Sequence, residues 1–174
     1  FRRVLFRSFM AVSETSGTVA AYASAQVPGT WTAATLPYTA TWSSVAAGNG
    51  MFTALAYNTT AVGYASAVST NGTTWQATQL PSLTNNTVAG AYGFGNVVLI
   101  SNAQTAVALS TQGGRQWTTA AGALATASAN WTDLIYAPII GGGAQSVASG
   151  RFIAINSNAT PYVNFVDANN LGSA

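Results

Sequence analysis

Ser69-Thr70-Asn71-Gly72-Thr73-Thr74-Trp75 is a tight polar turn that closes a weakly apolar run and delivers a single Trp. The same order of events recurs at Ser110-Thr111-Gln112-Gly113-Gly114-Arg115-Gln116-Trp117, and in shortened form at Gln26-Val27-Pro28-Gly29-Thr30-Trp31. The three Trp residues stand 44 and 42 positions apart. A fixed spacing of roughly 40 to 50 residues is the mark of a repeat architecture.

Outward from each turn the copies can be laid over one another. Openers rich in β-branched or aromatic residues lie at 9–13, 51–56, 97–101 and 151–156. After a short turn each is followed by a second run, at 19–24, 63–68, 106–110 and 161–166. The polar turn then leads to a third run that starts at the Trp. A fourth, at 40–50, 86–96 and 130–137, leads to the next opener. Every run has strand length and is bounded by Gly or Asn. No segment shows the i, i+3, i+4, i+7 spacing of an amphipathic helix. The Ala-rich stretch 120–129 is interrupted by Thr, Ser and Gly and reads as loop or edge strand, and an insertion is expected around 138–146.

Four short strands per ~45 residues, joined by tight turns, predict an all-β fold of β-propeller type, each blade a four-stranded antiparallel sheet. The repeats are 9–50, 51–96, 97–150 and a partial 151–174, about three and a half blades. Such a chain either closes as four blades with an incomplete last one or is a piece of a larger ring. Residues 1–8 differ from the rest: three of the five Arg sit there, and the string resembles translated adapter read-through, so it reads as a non-native leader.

Composition narrows the chemistry. Of 174 residues only 5% are charged, against roughly 25% in ordinary soluble domains. No apolar run approaches the ~20 residues of a membrane-spanning helix, so no membrane insertion is expected. Cys, His and Lys are absent, which removes thiolate chemistry and the commonest general base and metal ligand. Beyond the first eight residues two Arg face three acids, Glu14, Asp133 and Asp167. The basic balance therefore belongs to the leader and points to no nucleic-acid partner. The three acids fall in different repeats, so no carboxylate pair for glycoside hydrolysis is expected. No catalytic residue, metal site or cofactor is assigned. Trp42, Trp131, Tyr38 and Tyr136 lie on or beside fourth strands, where they either pack between blades or stack on a sugar.

Ser-x-Asn-Gly-x-x-Trp resembles the Asp-box, or BNR repeat, of sialidase-like and related propellers, whose pattern is Ser-x-Asp-x-Gly-x-x-Trp. Leu36-Pro37, Leu80-Pro81 and the run from Trp42 to Gly50 are similar to propeller repeats of phage tail or fibre proteins and bacterial surface proteins. Asn71 or Gln112 stands near the family Asp, so the copies are degenerate. In that family the box is a structural turn away from the active site. The resemblance therefore implies structural roles for Trp31, Trp75 and Trp117 as core residues, and for Asn71, Gly72 and Gly113 as turn residues. It implies a non-catalytic binding or structural module, extracellular or on a virion surface, with a glycan, a cell-surface receptor or other virion proteins as partner. The alternative is a fragment of a sialidase-like glycoside hydrolase with its catalytic residues in other blades, because one Glu and two Arg after Phe9 cannot build that site.

Overall fold

In a computed structural model of the chain, the described residues are 8–24, 26–27, 29–57, 65–81, 87–121, 123–124, 130–139, 149–158 and 163–167. The leader other than Ser8, the Asn58-Thr59-Thr60 turn, most of 120–129, positions 140–146 of the expected insertion and the end beyond Asp167 lie outside them. The described residues form strands and turns, without a helix, and every strand pairing is antiparallel.

Strands β1 (Ser8–Val12), β2 (Gly17–Ser24) and the first part of β3 (Trp31–Gly48) form a first sheet. The second part of β3 leads a second sheet with β4 (Met51–Tyr57), β5 (Ala65–Ser69) and β6 (Gln76–Gln79). β3 passes from one to the other at Ala40 and Thr41, which pair with Gly17 and Tyr57, just after an irregularity that leaves residues 36–39 outside the β2 ladder. Pro37 sits in that gap, where its missing N–H removes no ladder bond. The third sheet is β7 (Thr87–Gly93), β8 (Asn96–Ser101), β9 (Val107–Ser110) and β10 (Thr118–Ala120). The fourth is β11 (Trp131–Ile139), β12 (Ser149–Asn156) and β13 (Val163–Asp167).

Hydrogen bonding is offset by one strand from the sequence repeats: each fourth run pairs with the opener that follows it. Two-residue hairpins make the first two of these junctions. Gly48 pairs with Met51 around Asn49 and Gly50, with φ of 51° and 74°. Gly93 pairs with Asn96 around Phe94 and Gly95, with φ of 49° and 81°. Positive φ at both central positions is the type I′ geometry that matches strand twist, and Asn-Gly is its favoured sequence.

The sheets stack face to face in chain order. The forward face of the first sheet meets the rear face of the second through Ala20 and Ala34 against Trp42, Ala54 and Ala67. Leu55 on the second meets Leu99 and Ala108 on the third. Val98, Ile100 and Leu109 on the third meet Trp131, Phe152 and Ala154 on the fourth. Small residues let the sheets approach, and aromatic rings fill the wider gaps. The leading strands lie side by side, with β7 packed against both β3 and β11.

Along the leading strands, Tyr rings lie on glycines of the preceding sheet. A Cβ at Gly48 would overlap the Tyr92 ring, and one at Gly93 would overlap the Tyr136 ring. Neither glycine has a positive φ, so only the ring contact forbids alanine. Gly48→Ala and Gly93→Ala are each expected to destabilise the chain by about 1–3 kcal/mol through overpacking. Urea unfolding midpoints check this, and unchanged midpoints would show that the rings do not rest there.

Candidate functional site

Each leading strand carries a bulge at the same place. Register shifts fall between Trp42 and Ser44, between Thr87 and Ala89, and between Trp131 and Asp133. The extra residues are Ser43, Val88 and Thr132. A bulge bends its strand and re-aims the extra side chain, and here all three line one pocket of about 450 Å³. Thr41 and Trp42 complete the β3 side. Glu14, from the turn after β1, and Asn102, from the turn after β8, close the rim.

The residue before each bulge reaches back to a main-chain oxygen of the preceding sheet. Trp42 Nε1 donates to Gly17 O at 3.1 Å, Trp131 Nε1 donates to Gln104 O at 3.2 Å, and the Thr87 hydroxyl donates to Ala56 O. Gly90 N also donates to Ser44 Oγ, at 3.2 Å. The pocket wall is thus tied to several sheets.

The polar groups of the pocket are mostly acceptors. The hydroxyl of Ser43 donates to Leu55 O at 3.3 Å and that of Thr132 to Ile155 O at 3.2 Å. Both protons are committed, which leaves oxygen lone pairs. Asn102 Oδ1 is buried and, among the described residues, has no hydrogen-bond partner. An orphaned acceptor of this kind costs about 1–3 kcal/mol unless a donor arrives. Glu14 adds a carboxylate and is the only charged residue of the lining among the described residues. Asp133 Oδ1 accepts from Leu134 N, and Asp167 pairs with Arg151 at 2.6 Å, both away from this lining.

Of the two roles open to the aromatic residues on or beside the fourth runs, packing or stacking on a sugar, the structure shows packing. Trp42 is 0% exposed and Trp131 1%. Tyr38 stacks on Trp42 with ring centroids 5.2 Å apart, and Tyr136 packs on Phe152 at 5.1 Å. Of the Trp residues expected in the core, Trp75 and Trp117 are half-buried and Trp31 is 51% exposed. Trp75 leans on the first sheet, and Trp117 Nε1 donates to Ser66 Oγ of the second at 3.1 Å. Trp31 belongs to the first sheet, and no described sheet lies behind it.

The polar turns are closed by their own side chains. Ser69 Oγ accepts from Asn71 N and Gly72 N at 3.2 and 2.8 Å, and Asn71 Oδ1 accepts from Thr73 N and Thr74 N at 3.0 and 2.8 Å. Gly72 takes a φ of 78° and Gly113 one of 63°. Ser110 Oγ repeats the cap on Gln112 N and Gly114 N. Glu14 and Asn102, by contrast, are not singled out by any motif; their placement at the pocket follows from sheet stacking.

No family model and no curated relative matches the sequence. Among solved structures, apo AztD from Citrobacter koseri is similar over 86% of this chain and 43% of that chain, at 11% identity and a TM-score of 0.43. The chain thus spans less than half of that structure's length, and likeness at this level carries no argument about role.

Burial pushes the Tyr38 phenol well above its ordinary value of 10.0, and its hydroxyl donates to Ser66 O. The folded chain therefore holds this proton more tightly than the unfolded chain. Its contribution to stability is full below the unfolded value and is lost as the pH rises through the folded one. Melting temperature is expected to fall more steeply above about pH 10 for the parent chain than for Tyr38→Phe. Parallel profiles would remove Tyr38 from the alkaline transition.

Proposed function

We propose that the chain is a non-catalytic binding module of β-propeller type that takes a neutral, hydroxyl-rich ligand, a glycan, at the bulged ends of its leading strands. The observation that carries this reading is the convergence of three bulge residues with Glu14 and Asn102 on one pocket. Hydroxyl groups of a sugar are donors, and the pocket offers the Glu14 carboxylate and the hydroxyl oxygens of Ser43 and Thr132, whose own protons are committed. Val88 provides an apolar wall for the C–H side of a ring. Among the described residues of the lining Glu14 is the one charge, and a carboxylate there disfavours acidic sugars, because an anion placed beside it meets like charge.

The propeller reading draws support from the sequential stacking of antiparallel sheets and from leading strands that lie side by side. The degenerate Asp-box turns add to it. A virion or extracellular surface suits the charge-poor, Thr/Ser/Asn-rich and Cys-free composition. Glycan-mediated attachment to a cell surface is the role that follows.

An array of neutral and sialylated oligosaccharides, followed by titration calorimetry on the hits, tests the reading. Neutral or amino sugars are expected to bind and sialylated ones to be rejected. Glu14→Gln and Asn102→Ala are each expected to weaken binding about tenfold, or ~1.4 kcal/mol. Binding confined to acidic sugars, or unchanged in both variants, overturns the proposal.

A further inference from the structure

The stack of sheets leaves two faces bare. On the rear face of the first sheet, Phe9, Val19 and Trp31 are exposed; on the forward face of the fourth, Ile135, Ile155, Val163 and Phe165 are exposed. Phe9 pairs with Ala23, which pairs with Trp31, and Ile135 pairs with Ile153, which pairs with Phe165, so each set forms rows across its sheet. Contiguous apolar surface on this scale marks an interaction site.

The internal contacts show what covers such faces. In each, the forward face of one sheet receives the rear face of the next, and at the first two contacts its polar turn as well. Gly72 in the turn of the second sheet sits against Tyr22 of the first, while Gly113 and Gly114 in the turn of the third sit against Met51 and Thr53 of the second. Thr53 Oγ1 donates to Gly113 O at 2.8 Å. At the first sheet, by contrast, a Cβ on Gly29 would meet nothing within 4 Å, and Trp31 stands open.

The bare faces also carry matching aromatic residues. Where the first two sheets meet, Phe52 meets Tyr22 edge-on, with ring centroids 6.4 Å apart and planes at 82°. Phe9 holds in the first sheet the place that Phe52 holds in the second. Phe165 pairs with Ile153, the residue after Phe152, as Tyr22 pairs with Met10, the residue after Phe9. Phe9 is 56% exposed and Phe165 54%. Each thus lacks the ring that the other would supply. Arg151 and Asp167, on the same face as Phe165, neutralise each other at 2.6 Å.

We infer that the occupant of each bare face is a second copy of this chain, joined head to tail, with the first sheet of one copy stacked on the fourth sheet of the next. The contact is heterologous and repeats the internal stacking, with Phe9 meeting Phe165 and Trp31 becoming half-buried like Trp75. Such contacts close into a ring or run on as a filament according to the rotation between copies. The inference is independent of glycan binding, since the pocket and the two faces share no residue.

Light scattering coupled to size-exclusion chromatography tests it on the intact chain and on Phe9→Asp and Phe165→Asp. The parent chain is expected at twice the monomer mass or more, and each variant alone at the monomer mass. Mixed together, the two variants retain one intact head and one intact tail, so 1:1 pairs are expected. That rescue also shows that both variants are folded. A monomeric parent chain, a single variant that keeps the parent mass, or a mixture that stays monomeric would each overturn the inference.

Discussion

Everything in this chain hangs on the reach of one residue per leading strand back into the sheet before it. Trp42, Thr87 and Trp131 differ in chemistry, yet each donates to a main-chain oxygen of the preceding sheet. A three- or four-stranded sheet cannot bury two apolar faces alone, and short repeats gain stability only from their neighbours. The reach-back bond sets the distance and angle at which that burial happens. Where the side chain is Trp it also fills the gap, removing a large aromatic surface from water in the same step.

The same constraint creates the pocket. For the residue before the bulge to point backward, the strand must take up an extra residue, and that residue is turned toward the ends of the leading strands. Ser43, Val88 and Thr132 therefore converge as a consequence of how the sheets are locked together. A buried anchor thus sits beside each bulge residue of the pocket wall.

Sheet stacking also explains why equivalent residues differ in environment. Trp31, Trp75 and Trp117 stand at the start of equivalent strands, but among the described residues only the latter two have a sheet behind them. Phe9 and Phe52 hold the same place on their sheets, and only Phe52 has a ring to meet. Burial here is a property of the neighbour more than of the residue. The free faces at the two ends of the stack are accordingly as apolar as the faces inside it.

Local geometry was legible in the sequence because it is decided within a few residues. Asn49-Gly50 demanded positive φ and made a hairpin; Ser69 and Asn71 could cap their own turn; the alternation and length of the runs specified strands. The period of the Trp residues announced sequential sheets. What only the tertiary structure decided was the partner of each surface. The fourth run of each repeat could pair backward or forward; it pairs forward in all three, through a two-residue hairpin in the first two. Trp42 and Trp131, which could pack between sheets or stack on a ligand, are fully buried because the preceding sheet offers them an acceptor and a gap of the right width. Glu14 and Asn102 carry no motif, and they meet at one pocket because their turns belong to sheets stacked around the same strand ends. Backbone conformation is set by neighbours in sequence, whereas burial and pocket polarity are set by neighbours in space, which a period of about 45 residues brings together only after folding.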